Sequence, residues 1–177
     1  MRFVVLGDGH LRKNLEQHAA SLGLAEDMIF TGNRRDLENV YPALDIIALT
    51  SLNEGTPLTL IEAMANARPV ISTAVGGVVD LLGDSIPQES DLPFKICERG
   101  ISVAPHNASA FAAGLRHLVA NAELRREMGE RGLQFVTGHY SKERMLEDVS
   151  CLYADLLKQK SISKQASGGK PTFRTAS

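Results

Sequence analysis

The sequence predicts an α/β fold in which helices cover both faces of a parallel sheet. Short apolar, β-branched runs alternate with longer amphipathic segments through the first hundred residues, and this alternation is the order of elements in βαβ units. The clearest unit spans 45–77, where a strand, a Gly-Thr-Pro turn, a helix without an internal breaker and a second strand follow one another. We therefore expect one domain over 1–160, which is long enough to bury a core.

The first elements are a strand, a tight turn and a helix. Arg2–Leu6 is a β-branched run, Gly7-Asp8-Gly9 forms the turn, and residues 11–22 have the spacing of an amphipathic helix. A second strand is predicted at 28–30, and a short helix at 36–41. The turn lacks the third glycine of a dinucleotide fingerprint, so by itself it indicates only a tight turn at the end of a strand.

The later elements complete the α/β pattern and then become helical. Strands are predicted at 45–49, 70–72 and 100–104, helices at 57–67 and 78–82, and mainly helix from Pro105 onward. Residues 83–99 follow no regular pattern and are predicted to be a functional loop or an insertion near the ligand-binding rim. The apolar stripe at 145, 149, 152, 153 and 156 is expected to pack in a core or against another domain. Residues 161–177 are rich in Ser, Gly and Lys and should form a disordered tail.

The start of the central helix is the strongest candidate for a binding site. Thr56 is a suitable N-cap and Pro57 a suitable first helical residue. The first turn, Leu58–Leu60, then presents free backbone N–H groups and the positive end of the helix dipole. This turn is predicted to lie at the carboxyl end of a parallel strand, where open α/β sheets bind ligands. A phosphate or a polyol would fit there.

Two carboxylates flank this helix start. Glu54 precedes the helix, and Glu62 lies about one and a half turns into it. Carboxylates accept hydrogen bonds and do not donate them, which suits the vicinal hydroxyls of a ribose or a hexose. The alternative is that both acids only favour the helix dipole, but that reason is weak for Glu62, which lies inside a mainly apolar helix. The pair is predicted to bracket a sugar nucleotide.

Composition and charge exclude several classes of function. The net charge of -2 gives no basic stripe for a nucleic-acid backbone, and no apolar run reaches the length of about 18 residues that a membrane-spanning helix needs. The apolar start is a strand and not a signal peptide, and Cys97 and Cys151 have no metal-ligand spacing. We expect a cytoplasmic protein with buried free thiols, any membrane contact being peripheral at the inner face. The histidines form no metal-binding pattern, so no metal ion is expected.

The segment from Glu54 to Glu62, EGTPLTLIE, resembles the E-x7-E motif of retaining GT-B glycosyltransferases of family 4. Ser51 before it, and Ala63-Met-Ala, Arg68-Pro-Val-Ile and Val75-Gly-Gly after it, are also similar to that family. The resemblance extends over residues 2–157. It implies the C-terminal, Rossmann-like half of a GT-B enzyme, which binds a nucleoside diphosphate sugar as co-substrate and needs no catalytic metal or other cofactor.

The resemblance also implies a role for individual residues. Glu54 would contact hydroxyls of the donor sugar and act as the catalytic residue, and Glu62 would hold the ribose diol. Because Pro57 has no amide hydrogen, the Leu58 N–H is the best candidate for a phosphate contact. The other implied donor-binding residues are Gly55, Thr56, Thr59, Gly32, Asn33 and Arg34, the last three beside the base, together with Gly7 and Gly9.

The resemblance leaves two parts of the family unmatched. The strand and loop with an Arg and a Lys that hold the diphosphate are not found, and neither is the N-terminal domain that binds a glycan, lipid or small-alcohol acceptor. We expect the chain alone to have little or no transferase activity. The strands at 2–6 and 45–49 would then have facing unpaired edges, closed by direct pairing, by another copy of the chain or by a segment of a longer protein. Ala67 also departs from the family, which has glycine there.

Two other functions agree with the same residues. One is a non-catalytic nucleotide-binding or assembly module that keeps the fold. The other is a different GT-B enzyme, such as a nucleotide-sugar epimerase or a phosphorylase-like transferase. The phosphorylase branch requires a pyridoxal lysine, and no lysine lies in the helix at 58–67.

Overall fold

The computed structural model describes residues 1–88 and 91–167. The chain divides into two compact units, Met1–Asp45 and Ile46–Ser177. Parallel strands alternate with helices in both units, so the predicted α/β class is confirmed. Each unit has its own hydrogen-bonded sheet.

The first unit is a two-stranded parallel sheet with helices. Its elements are strand β1 (Phe3–Leu6), helix α1 (Arg12–Ser21), strand β2 (Met28–Gly32), helix α2 (Leu37–Val40) and a 3-10 turn (Tyr41–Ala43). β1 and β2 are in parallel register from Phe3 opposite Met28. The guanidinium of Arg12 donates to the Phe30 carbonyl at 3.1 Å, which ties α1 to β2.

The second unit contains the larger sheet and most of the helices. Its elements are β3 (Ile47–Leu49), α3 (Leu58–Ala65), β4 (Val70–Thr73), α4 (Val78–Leu82), β5 (Lys95–Ile96), β6 (Gly100–Val103), α5 (Ala108–Ala120), α6 (Ala122–His139) and α7 (Lys142–Ser167). The strand order is β3-β4-β6-β5, and the first three strands are parallel. Every residue of β4 and β6 is buried, as expected for inner strands covered on both faces.

The segment predicted as an irregular loop adds a strand to this sheet. β5 pairs antiparallel with β6, and the Ile86 N–H donates to the Ile96 carbonyl at 2.8 Å. Phe94 and Ile96 are buried in the core beside Ile101, whereas Lys95 between them is exposed. This alternation is the signal of a half-buried strand. The structureless-loop prediction is wrong for this part, since two prolines and several charges in 83–99 hide a short strand.

The C-terminal helix differs from its prediction in two ways. α7 continues to Ser167, beyond the start of the predicted tail, because 161–167 contains no Gly or Pro and the first such residue is Gly168. Residues 168–177 lie outside the described residues. The apolar stripe of α7 is not part of the core within the described residues, where the large apolar side chains of this helix are exposed: Met145, Leu146, Val149, Leu152, Tyr153, Leu156 and Leu157. Its packing against another domain stays a prediction.

The two cysteines have different surroundings. Cys97 is buried and Cys151 is exposed on α7, so the prediction of two buried thiols holds only for Cys97. Removal from water raises the pKa of the Cys97 thiol. None of the helices in the described residues is both long enough and apolar enough to cross the bilayer.

Among the described residues, β1 and β3 each have one edge without a neighbouring strand. β1 is hydrogen-bonded to β2, and β3 to β4, in separate sheets. The predicted closure by direct pairing of β1 with β3 is therefore wrong. Completion by a second copy or by a further segment stays a prediction.

Replacing Ala67 with glycine should stabilise the chain. Ala67 follows α3 with a φ of 52°, in the left-handed region that costs an L-residue about 1–2 kcal/mol. Allowing for the greater freedom of glycine in the unfolded chain, we expect Ala67→Gly to raise the free energy of unfolding by about 0.5–1 kcal/mol. Urea unfolding would measure it. Ala65→Gly, the same change at the exposed last residue of α3, should instead cost up to about 1 kcal/mol, and equal losses at both positions would contradict the strain argument.

Candidate functional site

The candidate site lies where two neighbouring parallel strands end. The loop 50–57 follows β3, and the loop 74–77 follows β4. Because β3 and β4 are adjacent and parallel, their carboxyl ends lie at the same edge of the sheet. This edge is where open α/β sheets bind ligands.

Hydrogen bonds hold the two loops together. The Thr73 hydroxyl donates to the Ser51 carbonyl at 2.5 Å, and the Gly77 N–H donates to the Gly55 carbonyl at 2.8 Å. Glu54 lies between these two anchored positions and is half-buried. The backbone that carries this carboxylate is therefore fixed from the neighbouring strand.

The helix that follows the loop begins one residue later than predicted. Pro57 is the N-cap of α3, with φ −72° and ψ 112°, so Thr56 lies one residue before the cap. The predictions that Thr56 is the cap and Pro57 the first helical residue are therefore wrong. The extended ψ at Pro57 and its burial place the start of α3 at Leu58.

The first two residues of this helix have backbone N–H groups without a partner inside the helix. The first backbone hydrogen bond of the turn runs from the Leu60 N–H to the Pro57 carbonyl at 3.1 Å, so the Leu58 and Thr59 N–H groups precede the helical ladder. Both residues are exposed, Leu58 by 70%. The helix dipole adds positive potential at this end, which makes the amides suitable donors to an anion.

Glu62 lies on the accessible side of the same helix. Leu60, Ala63 and Met64 are buried and form the core face of α3. Glu62 is one turn after Leu58 and half-buried, so residues 58 and 62 share a face. Glu62 and the first-turn amides therefore lie along one side of α3, and their joint binding of a ligand stays a prediction.

The other predicted site residues belong to the first unit. The Gly7 N–H donates to the Gly32 carbonyl at 3.0 Å, which joins the ends of β1 and β2, and both glycines have positive φ, 115° and 68°. The Gly9 N–H donates to the Asp8 carboxylate at 2.8 Å. Asn33 is exposed. These residues form one loop cluster at the carboxyl ends of two parallel strands.

Arg34 is held by a carboxylate in this cluster. Its Nε donates to the Asp36 Oδ1 at 2.7 Å, and its Nη2 contacts the Asp36 Oδ2. This bidentate pair raises the pKa of Arg34 and lowers the pKa of Asp36. The pair orients an exposed guanidinium at the end of β2.

The contact of Gly76 and Gly77 with the Glu54 loop was missed by sequence reasoning. The glycine pair was recognised only as part of a family resemblance, and Thr73 was read only as sequence after a strand. The available signal was two consecutive glycines directly after a buried strand, which is typical of close approach between backbones. In the described part of the chain, no cluster of His, Cys, Asp or Glu is arranged to hold a metal ion.

The fold is that of a Rossmann-like α/β protein, and its candidate site has a helix N-terminus and flanking carboxylates at the carboxyl edge of the sheet. The sequence matches the family described as "Glycosyl transferases group 1" over residues 1–135. The chain belongs to this family.

The chain is similar to longer proteins. It is 29% identical over 143 residues to the lipopolysaccharide core biosynthesis glycosyltransferase LpsE of Rhizobium meliloti (strain 1021), a match that covers 81% of this chain and 38% of LpsE. The chain thus spans well under half the length of this curated relative.

Solved structures of glycosyltransferases share the fold. The C-terminal domain of a glycosyl transferase group 1 family protein (LpcC) from Francisella tularensis superposes with a TM-score of 0.62 at 30% identity, over 75% of this chain and 63% of that one. Anabaena Alr3699/HepE in complex with UDP and glucose superposes with a TM-score of 0.70 at 20% identity, over 84% of this chain and 40% of that one. The fold is that of the C-terminal part of a GT-B glycosyltransferase.

Proposed function

We propose that this chain is the donor-binding part of a retaining, family 4 glycosyltransferase that transfers a hexosyl group from a nucleoside diphosphate sugar. The observation that carries the proposal is the start of α3, where free amides follow Glu54 and Glu62 lies one turn further on the same accessible face. Family membership supports it. The fold shared with HepE, a protein solved with UDP and glucose, agrees with a nucleotide-sugar donor.

Each group at the helix start has one chemical task in this proposal. Glu62 accepts hydrogen bonds from the two ribose hydroxyls. The Leu58 and Thr59 amides donate to the diphosphate, where the helix dipole favours negative charge. Glu54 accepts from hydroxyls of the donor sugar, with Gly55 and Thr56 beside it, and so positions the anomeric carbon for transfer.

The loop cluster of the first unit is proposed to contact the nucleotide. Gly32, Asn33 and Arg34 would meet the edge of the base, and Gly7 and Gly9 would allow close approach at the strand end. The Arg34–Asp36 pair limits the freedom of that guanidinium. Neither a metal ion nor another cofactor is part of this proposal.

The acceptor is proposed to bind to parts of a full-length enzyme that this chain does not include. The chain covers 38% of LpsE, and its proposed role is donor binding only. The acceptor would be a glycan, a lipid or a small alcohol, used in the cytoplasm or at the inner membrane face. We therefore expect this chain alone to give little or no transferase turnover.

Calorimetric titration with UDP, GDP and ADP and with their glucose conjugates tests the donor-binding proposal. We expect one nucleotide to bind, and its glucose conjugate to compete for the same site. The same samples, incubated with glycerol as a simple alcohol acceptor, should release no nucleotide. Absence of binding by all six compounds would overturn the proposal, and turnover by the chain alone would overturn the expected inactivity.

The free edge of β3 is proposed to drive self-association. The Ile47 N–H donates to the Pro69 carbonyl on the β4 side, so the N–H of exposed Ala48 points to the opposite edge. Light scattering after size exclusion should show a concentration-dependent dimer. Ala48→Pro removes that N–H without removing a β3–β4 bond and should give a monomer, whereas Ala48→Ser should not. A wild-type monomer at all concentrations would contradict edge pairing.

A further inference from the structure

We propose that Gly76 and Gly77 are positioning residues for Glu54, and that they determine how the site holds the sugar as distinct from the nucleotide. The inference rests on the proposed function, because it assigns the sugar to Glu54 and the ribose to Glu62. It concerns the backbone contact between the loop after β4 and the loop after β3. The proposed roles of Glu54, Glu62 and the helix amides concern the ligand and do not include this contact.

Gly76 lies against the backbone of Glu54 itself. A Cβ built on Gly76 would lie 1.7 Å from the Glu54 carbonyl oxygen and 2.9 Å from its carbonyl carbon. The φ of Gly76 is 48°, in the region that favours glycine. Two independent constraints, space and backbone conformation, therefore require glycine at position 76.

Gly77 fixes the next residue of the same loop. Its N–H donates to the Gly55 carbonyl at 2.8 Å, and a Cβ at Gly77 would lie 2.4 Å from that oxygen. The contact and the hydrogen bond use the same carbonyl group. Hence a side chain at position 77 would break the bond that holds Gly55.

The backbone of Glu54 lies between two hydrogen bonds that hold its loop. On one side the Thr73 hydroxyl bonds the Ser51 carbonyl, and on the other Gly77 bonds Gly55. Both groups that hold the loop belong to the end of β4 or to the loop after it, in the segment 73–77. Displacing this segment would move the Glu54 carboxylate with its backbone.

Glu62 is positioned by a different part of the molecule. It belongs to α3, whose buried face packs against α6, with Gly132 of α6 lying close to the Met64 side chain. A change at position 76 therefore alters the place of Glu54 relative to Glu62. The affinity for the nucleotide sugar should therefore fall, whereas the affinity for the nucleotide alone should stay nearly the same.

Calorimetry on the full chain with UDP and UDP-glucose, or with the pair of the base that the wild type prefers, tests this inference. Gly76→Ala should weaken binding of the nucleotide sugar about tenfold and change nucleotide binding less than threefold, an effect comparable to loss of one hydrogen-bonding group. Thr73→Val, which removes the hydroxyl and adds no bulk, should change the ratio in the same direction by a smaller factor. Thr73→Val keeps the test decisive if Gly76→Ala does not fold.

A double-mutant cycle separates positioning from a general structural role. If Gly76 acts through Glu54, Gly76→Ala should have no further effect on nucleotide-sugar binding in a Glu54→Ala background. Gly129→Ala is the matched control, because a Cβ at position 129 would also meet a backbone carbonyl, that of Ala67 at 2.2 Å, but it would displace α3 with Glu62, whose proposed partner is common to both ligands. It should leave the ratio of the two affinities unchanged.

The outcomes distinguish this inference from the proposed function. If the wild type binds no nucleotide, the proposed function fails and the inference fails with it. If the wild type binds both ligands but Gly76→Ala weakens both equally, or has a full additional effect without Glu54, only the positioning inference fails.

Discussion

Glu62→Ala should weaken nucleotide binding by about 10- to 100-fold, the range expected when hydrogen bonds to a charged group worth about 1.5–3 kcal/mol are lost. The proposed partner of Glu62 is the ribose diol, so both the nucleotide and the nucleotide sugar should be affected. Glu54→Ala, in contrast, should affect only the nucleotide sugar. Titration of both ligands into both variants would measure this difference.

The free energy of unfolding of Glu62→Ala shows whether a loss of nucleotide affinity comes from the binding site or from unfolding. Glu62 is half-buried on the accessible side of α3 and loses an interaction within the chain on substitution, whereas alanine favours helix, so we expect the free energy of unfolding to fall by less than about 1 kcal/mol. Glu130→Ala on α6, where Glu130 pairs with Arg126, removes the same charge from a helix outside the site. Its nucleotide affinity should equal that of the wild type. Equal affinities for Glu62→Ala and the wild type would remove Glu62 from the site.

Gly129→Ala should lower the free energy of unfolding by about 2–3 kcal/mol, the upper range for overpacking. Gly129 is buried on α6, where a Cβ would meet the Ala67 carbonyl oxygen at 2.2 Å and its carbon at 2.9 Å. A backbone carbonyl cannot rotate away as a flexible side chain can. The crossing of α3 and α6 would therefore have to widen.

Gly138→Ala on the same helix is the matched control for this prediction. Gly138 is exposed and has nothing within 4 Å of an added Cβ, so only helix propensity changes. This variant should gain up to about 1 kcal/mol. Guanidinium unfolding of both variants would give opposite signs, and a gain at both positions would show that α6 does not pack closely on α3.

The strand, helix and second strand within 45–77 could be predicted because their sequence patterns agree with the way these elements pack in the fold. The helix between Pro57 and Pro69 has no internal breaker, and its apolar residues repeat at helical spacing, so its position was predicted to within a residue or two. The start was misplaced because Pro57 suits both the first helical position and the extended cap. Sequence preference alone does not distinguish these conformations, whereas ψ at Pro57 does.

β5 and the contact of Gly76 with the Glu54 loop could not be predicted, because both depend on contacts between segments that are distant in the sequence. β5 has only the residues Lys95–Ile96, too short for periodicity to be read among prolines and charges. The spacing of Glu54 and Glu62 indicated a candidate site, but the approach of Gly76 to the Glu54 carbonyl depends on the adjacency of β3 and β4. The family resemblance included Gly76 and Gly77, but it did not show that they are needed for close approach to the loop of Glu54.

The bare apolar side of α7 affects how this chain behaves in concentrated solution. Large side chains such as Leu152, Tyr153 and Leu157 are more than half exposed there, and contiguous apolar surface of this kind promotes aggregation. Solubility of the purified chain should therefore be limited by this helix, in addition to any pairing through the edge of β3. Ending the chain before Lys142 removes this helix and should raise the solubility of the remaining α/β part.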